Sequence, residues 1–434
     1  MPAEPSQPVL ASQPGDATAL HAEAGHPIVG IDLGTTNSLV AICDERGPRV
    51  IPDSAGQALL PSVVRYEADD SQQGYRTVVG GEARQFAPDF PRRTITSVKR
   101  LMGRSSGDAQ RDAAYLSYEV VAGERNTARV SVPLGDQPGS RRLLLSPEEV
   151  SAQVLLRLKG QASIALGQDI RKAVVTVPAY FDDAQRQATR TAGRLAGLEV
   201  VRIVPEPTAA ALAYGIGLPR RPDGPPGSQA PATVAVYDLG GGTFDVSILR
   251  LTPGEHEGDT YFFQVLATAG DTHLGGDDID HLLVGLFRRE IAQILAGPSG
   301  APDAEAIDLP PGTRRQLVVL AEAVKCRLSE HEAAAIKIDL GVDRAYERTI
   351  TREELEALVE PLVSRTVAAC RRALSDAQRA LPPEGVGAVI MVGGSTRIPL
   401  VRRRVGEFFG LPPYTALDRD RVVALGAAVQ ASIL

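Results

Sequence analysis

Residues 234–249 of the chain read VAVYDLGGGTFDVSIL, an apolar run that ends in Asp-Leu-Gly, a turn of glycine and threonine, and a second apolar run. Residues 29–42, VGIDLGTTNSLVAI, repeat this plan. Each copy is followed further along by an apolar run that breaks at proline or glycine and enters a helical pattern, AVVTVPAYFDDAQRQATR at 173–190 and GAVIMVGGSTRIPLVRRRV at 387–405. The two copies predict a duplicated α/β unit whose turns face each other across a cleft.

The two turns have the composition of a phosphate-binding site. Because glycine has no Cβ, backbone N–H groups and hydroxyls can approach an anion closely. Asp32 and Asp238 end the strands that enter the turns, and they would hold Mg²⁺ through its water shell, since that ion takes few carboxylates directly. One Gly/Thr hairpin alone is a common turn, so this interpretation depends on the pair. The candidate phosphate donors are Thr35, Thr36 and Asn37 in one turn and Gly240, Gly241, Gly242 and Thr243 in the other.

The sequence argues against several other classes of protein. It has no GxxxxGK[ST] motif, and GGGTF is not the GxGxxG that opens a Rossmann helix. The net charge is −7 with no dense cluster of Lys and Arg, which argues against nucleic-acid binding. The three cysteines lack zinc-site or disulfide spacing. No signal peptide and no membrane-spanning run is recognisable, so we expect a cytoplasmic protein.

The remaining segments suggest an order of elements. Residues 1–27 mix Pro, Ala, Ser, Gln and Gly without periodicity, which predicts a disordered tail. Short strands follow from Ile28, and SPEEVSAQVLLRLKGQASIAL at 146–166 predicts a helix capped by Ser146 with Glu149 three residues on. The Pro/Gly-rich stretches 218–231 and 296–313 are expected to be surface loops.

Six motifs occur in a defined order along the chain: GIDLGTTNS, VTVPAYFDDAQRQ, EPTAAALAYG, VYDLGGGTFDVSIL, GDTHLGGDD and VGGSTRIP. The residues of these motifs and their order resemble the nucleotide-binding domain of the seventy-kilodalton heat-shock chaperone family, over residues 28–434. The resemblance implies an α/β, actin-like ATPase (ribonuclease H-like) fold, with two lobes that each carry a mixed sheet flanked by helices and a nucleotide cleft between them. It implies lobe I at 28–230, lobe II at 231–412 and a C-terminal helix at 413–434 that returns to lobe I. The sequence is most similar to the branch of the family that serves iron–sulfur cluster assembly.

The resemblance also implies ligands and residue roles. ATP or ADP, Mg²⁺ and K⁺ are the implied cofactors, and hydrolysis would be in-line attack of water on the γ-phosphorus. Lys99 would act on the γ-phosphate, and Glu206 would position the water. Only five of the 46 basic residues are lysines, so the survival of Lys99 and Lys325 as lysines favours a function for both. The implied catalytic set is Lys99, Glu206, Asp238 and Thr243, and the implied metal set is Asp32, Asp238 and Asp245. The implied nucleotide contacts are Gly34, Thr35, Thr36, Asn37, Gly240, Gly241, Gly242, Thr243, Gly275, Gly276, Asp278, Glu322, Lys325, Ser329, Gly393, Gly394, Ser395, Arg397, Ile398 and Asp420.

Further matches concern the relay of the nucleotide state and the binding of partner proteins. Pro178 and Arg186 match the proline switch and its partner arginine, which in the family relay the nucleotide state. Arg202 matches the surface used by J-domain co-chaperones, but Pro205 stands where the family usually has Asn, which removes an amide donor and argues against that docking. The implied partners are a J-domain co-chaperone and a nucleotide-exchange factor, with no nucleic acid and no membrane, and the implied state is a monomer.

The family continues into a peptide-binding domain, which this sequence does not contain as it ends at Leu434. The sequence therefore predicts an ATPase domain of a chaperone. Two alternatives stay open: a naturally short nucleotide-dependent regulator or scaffold without client binding, and a sugar kinase on the same fold. EPTAAA and GDTHLGG favour the chaperone branch over the kinase.

Overall fold

The structure is a computed structural model that describes residues 27–113, 116–135, 137, 139–216, 232–252, 262–296, 310–341, 344–415 and 417–434. The expected disordered tail lies outside the described residues except for residue 27, and so do the expected loop at 218–231 and most of the loop at 296–313.

The described ranges begin with six successive strands, and helices are interspersed with strands after them. The strands are β1 (Ile28–Leu33), β2 (Asn37–Asp44), β3 (Gly47–Val50), β4 (Leu60–Pro61), β5 (Val64–Ala68), β6 (Tyr75–Val79), β7 (Thr94–Ile95), β8 (Glu119–Ala122), β9 (Ala128–Pro133), β10 (Arg142–Leu145), β11 (Lys172–Val177), β12 (Glu199–Pro205), β13 (Ala232–Leu239), β14 (Phe244–Thr252), β15 (Phe262–Asp271), β16 (Ala333–Gly341), β17 (Arg344–Thr351) and β18 (Ala388–Val392). The helices are α1 (Gly81–Gln85), α2 (Ser106–Ala113), α3 (Pro147–Leu166), α4 (Asp183–Leu195), α5 (Glu206–Ile216), α6 (Gly276–Ala296), α7 (Pro311–Glu330), α8 (Arg352–Ala377), α9 (Pro399–Phe409) and α10 (Val422–Ser432). Short 3₁₀ helices lie at Val98–Leu101, Glu124–Asn126 and Gly394–Arg397.

The two copies of the repeated sequence build equivalent sheets. In the first, β2 pairs antiparallel with both β1 and β3, and β11 adds parallel to β1. In the second, β14 pairs antiparallel with both β13 and β15, and β18 adds parallel to β13. The strand orders are β12-β11-β1-β2-β3, with β4 on β2, and β15-β14-β13-β18. This shared topology confirms the predicted duplication of an α/β unit.

Smaller sheets and separate cores complete the two halves. The sheets β6-β5-β7 and β10-β9-β8 belong to the first half, and the hairpin β16-β17 belongs to the second. One apolar core is formed within residues 29–198 and another within residues 235–405. Each half therefore buries its own apolar surface, as expected for a chain of this length.

The start of α3 confirms the predicted cap. Glu149 donates from its backbone N–H to Oγ of Ser146 over 3.1 Å, and Ser146 N–H donates to a Glu149 carboxylate oxygen over 2.7 Å. Pro147 occupies the first helical position, where a missing N–H costs nothing, and Gly167 closes the helix in the left-handed region.

Helices α5 and α10 lie between the two large sheets. α10 packs on β1 and β2, α5 packs on β13 and β14, and the two helices contact each other. The backbones approach so closely that a Cβ on Gly426 would lie 1.7 Å from the carbonyl oxygen of Ala209, and one on Gly30 would lie 2.2 Å from the backbone nitrogen of Ala428. Glycine at position 30 therefore lets α10 approach the first sheet, and glycine at position 426 lets α10 approach α5. In the part of the chain described, no helix is both long enough and apolar enough to cross a bilayer.

Candidate functional site

The two Gly/Thr turns meet in the folded chain. One joins β1 to β2 and the other joins β13 to β14. A Cβ on Gly241 would lie 1.9 Å from Oγ1 of Thr36, and a Cβ on Gly242 would lie 2.7 Å from Cγ2 of Thr35. The close approach of the two threonines therefore favours glycine at positions 241 and 242.

A cleft of about 390 Å³ opens beside the turns, within the usual size range of small-molecule sites. Both halves of the chain contribute to it. The predicted site residues that line it are Asp32, Gly34, Thr35, Thr36, Asn37, Lys99, Glu206, Asp238, Gly240, Gly241, Thr243, Gly276, Glu322, Lys325, Ser329, Gly393, Gly394, Ser395, Arg397, Ile398 and Asp420.

A buried ion pair lines this cleft. Lys99 lies in the 3₁₀ turn Val98–Leu101 and donates from Nζ to Oε1 of Glu206 over 2.6 Å. The two side chains are only 6% and 10% exposed. Glu206 opens α5, so its carboxylate lies at the positive end of a helix dipole. Packing thus places one cation and one carboxylate next to both turns.

Aspartates beside the pair are buried and short of positive charge. Burial and then the charge of Glu206 raise the pKa of Asp32, Lys99 opposes both effects, and the net result is a pKa of about 7. Burial and Glu206 also raise the pKa of Asp245 to about 7, and they raise the pKa of Asp238 well above its ordinary value. Four carboxylates share one lysine here, so a bound cation would relieve their repulsion.

These carboxylates do not form a closed metal cage. Among the described residues, no three Asp, Glu, His or Cys side chains are grouped so that they could ligate one ion. Oδ1 of Asp245 instead accepts a hydrogen bond from the backbone N–H of Tyr180 over 3.2 Å. Mg²⁺ keeps several waters and needs only one or two carboxylates, so Asp32 and Asp238, which line the cleft, fit that ion better than Asp245.

The predicted switch residues hold the loop after β11. Pro178 directly follows this strand, and Arg186 on α4 donates to the carbonyl oxygens of Ala179 and Phe181, each over 3.1 Å. The same loop supplies the N–H that reaches Asp245. The ring of Phe181 lies 5.8 Å from Nζ of the cleft lysine. The loop therefore connects the cleft to α4 without lining the cleft.

One face of α7 forms a wall of the cleft. Glu322, Lys325 and Ser329 lie three and four residues apart and so share that face. Nζ of Lys325 donates to Oδ2 of Asp280 over 2.8 Å and to the carbonyl oxygen of Gly276 over 3.0 Å. These bonds fix the lysine against the start of α6.

The turn after β18 forms the facing wall. Gly393 has a φ of +84°, and a Cβ there would lie 2.3 Å from a carbonyl oxygen of β13, so glycine is required on both counts. Oγ of Ser395 donates to the carbonyl oxygen of Gly240 over 3.0 Å. Arg397 pairs with Asp420 over 2.6 Å. The hydrogen bond of Ser395 therefore joins this turn to the second Gly/Thr turn.

Predicted residues that do not line the cleft are Gly242, Gly275, Asp278, Asp245, Pro178 and Arg186. Gly275 packs against the second turn, since a Cβ there would lie 2.4 Å from the carbonyl oxygen of Gly241. Oδ2 of Asp278 accepts hydrogen bonds from Arg100 over 2.6 Å and from the N–H of Gly275 over 2.7 Å. Asp278 therefore stabilises the start of α6 and binds the opposite lobe.

Sequence reasoning missed the groups that join the lobes above the cleft. Oγ of Ser97 donates to Oδ2 of Asp277 over 2.7 Å, and Arg84 pairs with Glu322. Ser97 is in the left-handed region with a φ of 54°. Asp277 and Asp280 also line the cleft. The sequence signal was their i, i+3 spacing in LGGDDID, which places both on one helical face.

The proposed J-domain surface lies on an edge strand. Arg202 is exposed on β12, and Pro205 pairs with Val177 at the end of the same strand. Proline is tolerated on an edge strand because no ladder hydrogen bond is required on the open side.

A family model and the curated relatives of this chain point to the same family. The family model described as Hsp70 protein matches residues 28–434. The chain is 46% identical to the chaperone protein HscA of Cronobacter sakazakii over 423 residues, 98% of this chain and 60% of that protein. It is 48% identical to the chaperone protein HscA homolog of Pseudomonas fluorescens over 406 residues, 94% of this chain and 57% of that protein. The homolog from Bordetella pertussis is 47% identical over 428 residues, 98% and 60% of the two chains.

The chain thus spans about 60% of the length of the curated relatives that it matches. Hsp70-family proteins are nucleotide-dependent chaperones whose ATPase part has the actin-like fold. The duplicated mixed sheets, with helices between and around them, are that fold. The chain belongs to the Hsp70 family.

Proposed function

We propose that this chain binds ATP with Mg²⁺ between its two lobes and hydrolyses it to ADP and phosphate, as the nucleotide-binding part of an HscA-type chaperone. One observation carries the proposal: the buried Lys99–Glu206 pair lines the same cleft as both Gly/Thr turns. A positioned cation, a carboxylate and a cradle of backbone groups are the parts that phosphoryl transfer needs, because its catalysis is mainly positioning and charge stabilisation.

Each group of cleft residues would have its own role in ATP binding and hydrolysis. The turns at 34–37 and 240–243 hold the phosphate chain through backbone N–H groups and hydroxyls, including that of Thr243. Nζ of Lys99 stabilises negative charge on the γ-phosphoryl oxygens, and the Glu206 carboxylate orients the attacking water by accepting its hydrogen bond. Asp32 and Asp238 would hold Mg²⁺ through water, and that ion would neutralise part of the phosphate charge.

The other end of the cleft suits a nucleoside. Carboxylate, ammonium and hydroxyl groups on α7 face the glycine turn that follows β18, and such polar groups can bind ribose hydroxyls and base edges. The residues for which we propose this role are Gly276, Glu322, Lys325, Ser329, Gly393, Gly394, Ser395, Arg397, Ile398 and Asp420. Gly275 and Asp278 would act indirectly, by supporting the start of α6.

The finer parts of the proposal concern organisation and partners. Lobe I at 28–230, lobe II at 231–412 and a returning C-terminal segment at 413–434 are the proposed units. Membership of the family is the sole support for the remaining proposals. These are a nucleotide-exchange factor, a J-domain protein whose docking Pro205 disfavours, K⁺, a monomeric state, a cytoplasmic location and a role in iron–sulfur cluster assembly. Pro178 and Arg186 would relay the nucleotide state through the loop that they hold.

A melting experiment tests the proposal. A ligand that binds only the folded chain stabilises it by about 2.7 kcal/mol at a hundred times its dissociation constant. The melting temperature should therefore rise with ADP and Mg²⁺ together, and less with ADP and a chelator. Gly241→Val, which drives a side chain into Thr36, is the matched variant that should lose the response. An unchanged midpoint for the wild type at millimolar nucleotide would refute nucleotide binding by the two turns.

A further inference from the structure

A second cavity, the arginine groove, lies between α6, the start of α7 and the segment 116–142 of the first half. Its volume is about 680 Å³. Its lining includes Arg92, Arg142, Arg288, Arg314 and Arg315. Among the described residues that line it, the one carboxylate is Glu119, which already pairs with Arg142. The groove is therefore strongly cationic and suited to an anion.

A small pocket of about 70 Å³ connects the arginine groove with the cleft. Thr35, Thr36 and Asp277 line both this pocket and the cleft. His281 and Arg315 line both this pocket and the arginine groove. The three spaces therefore form a path from the first phosphate-binding turn to the outer surface, and Arg315 stands at its outer junction.

Arg315 lines this path and forms no ion pair with a carboxylate of the described residues, although the charges of Glu322 and Asp277 act on it from a distance. Its Nε is buried and has no hydrogen-bond partner among the described residues, and none of the ion pairs between those residues includes it. Arg315 as a whole is half-buried, and a guanidinium that is partly removed from water is stabilised by a bound anion. The carboxylates of the connecting pocket are already engaged, Asp277 by Ser97, Asp280 by Lys325 and Glu322 by Arg84. An added anion would therefore find a cation here that forms no ion pair with any carboxylate of the described residues.

We propose that the arginine groove is a second oxyanion site, and that it takes the inorganic phosphate that leaves the cleft after hydrolysis. This inference rests on the proposed ATPase function. Planar guanidinium groups bind phosphate through paired hydrogen bonds, and several of them along one path supply successive partners for a dianion. ADP stays behind, because its nucleoside end is bounded by α7 and the turn after β18.

The first test measures phosphate binding without hydrolysis. The protein is loaded with Mg²⁺ and a non-hydrolysable ATP analogue, so that the cleft is filled, and inorganic phosphate is titrated while the arginine Nε–Hε signals are followed by NMR. One signal should shift saturably, and Arg315→Met should abolish that response. Arg289→Met, an exposed arginine on α6 outside the arginine groove, should retain it. Absence of a saturable shift in the wild type, or its survival in Arg315→Met, overturns the proposal.

The second test follows phosphate release. In single turnovers, cleavage is measured by acid quench and release by a fluorescent phosphate-binding protein. The two time courses should coincide in the wild type and in Arg289→Glu, whereas in Arg315→Glu release should lag by about tenfold or more, because the repelled dianion loses binding free energy at the junction. If melting shows that Arg315→Glu is unfolded, Arg314→Glu replaces it. Coincident curves in the folded variant overturn the exit route.

The two tests separate the proposals. Failure of the ATP analogue to bind, or failure of the wild type to cleave ATP, counts against the ATPase function. The phosphate titration can then be repeated on the nucleotide-free protein, where it still tests the arginine groove.

Discussion

Replacing Lys99 by Ala removes the lysine that Glu206 and the aspartates beside it share. The side chain is 6% exposed and donates to Glu206 over 2.6 Å. Its charge also lowers the pKa of Asp32, so its loss affects the whole cluster. The substitution therefore perturbs catalysis and folding stability, and the two effects must be measured separately.

The expected sizes follow from these contacts. Loss of one positioned group that stabilises transition-state charge costs about 2.7–4 kcal/mol, which is about 10²–10³ in the rate of the chemical step. ATP affinity should change by less than about threefold, because a group that acts in the transition state adds little to ground-state binding. Removing one partner of a buried ion pair costs about 3–5 kcal/mol of folding stability, because it leaves an uncompensated buried charge.

Single-turnover hydrolysis, nucleotide titration and urea unfolding measure the three effects. The double variant Lys99→Ala/Glu206→Gln should recover stability, since no unpaired charge is left, but should not recover turnover. Lys337→Ala is the control, because Lys337 is 74% exposed and pairs with Glu347 on the β16–β17 hairpin. Turnover of Lys99→Ala within a few fold of the wild type would refute the assigned role and leave Lys99 as a structural lysine.

The sequence was most informative where function depends on local chain geometry. A turn of glycine and threonine between two apolar strands is specified by neighbouring residues, so both phosphate-binding turns could be recognised. The repeated motif also implied that the turns face each other. The contact of Gly241 with Thr36 shows why the second turn needs glycine, although only the packed structure contains that reason.

The sequence was least informative where neighbouring residues point in different directions. Successive residues on a helix are about 100° apart, so GGDDID does not reveal which aspartate faces the cleft. The prediction chose Asp278, whereas Asp277 and Asp280 line the cleft and Asp278 binds Arg100 across the lobes. The arginine groove was equally unpredictable, because its arginines come from four distant segments that only the docking of the lobes brings together.

Further predictions concern closure of the lobes, close packing and pH. Gly426→Ala should destabilise the fold by about 1–3 kcal/mol in urea unfolding, because the new Cβ meets a backbone carbonyl oxygen at 1.7 Å. The control Gly160→Ala places its Cβ in open space on α3 and should not destabilise the fold. Ser97→Ala removes a hydrogen bond to the Asp277 carboxylate across the lobes, which is worth about 1.5–3 kcal/mol. A fluorescent nucleotide should therefore dissociate about tenfold faster from this variant in stopped flow. An unchanged dissociation rate would contradict that contribution. Asp245 contributes to the pH dependence together with Asp32 and Asp238, since burial and the charge of Glu206 raise its pKa from 3.8 to about 7 in the folded chain. The folded state therefore binds this proton more tightly than the unfolded state, and the unfolding free energy falls by up to about 1.4 kcal/mol per unit as the pH rises from about 4 to 7. Asp245→Asn keeps an oxygen acceptor for the N–H of Tyr180 but removes the titration, so urea midpoints of the nucleotide-free variant between pH 5 and 8 should change less with pH than those of the wild type. Equal slopes would show that the Asp245 carboxylate is already ionised throughout that range, and they would contradict the burial argument for this site.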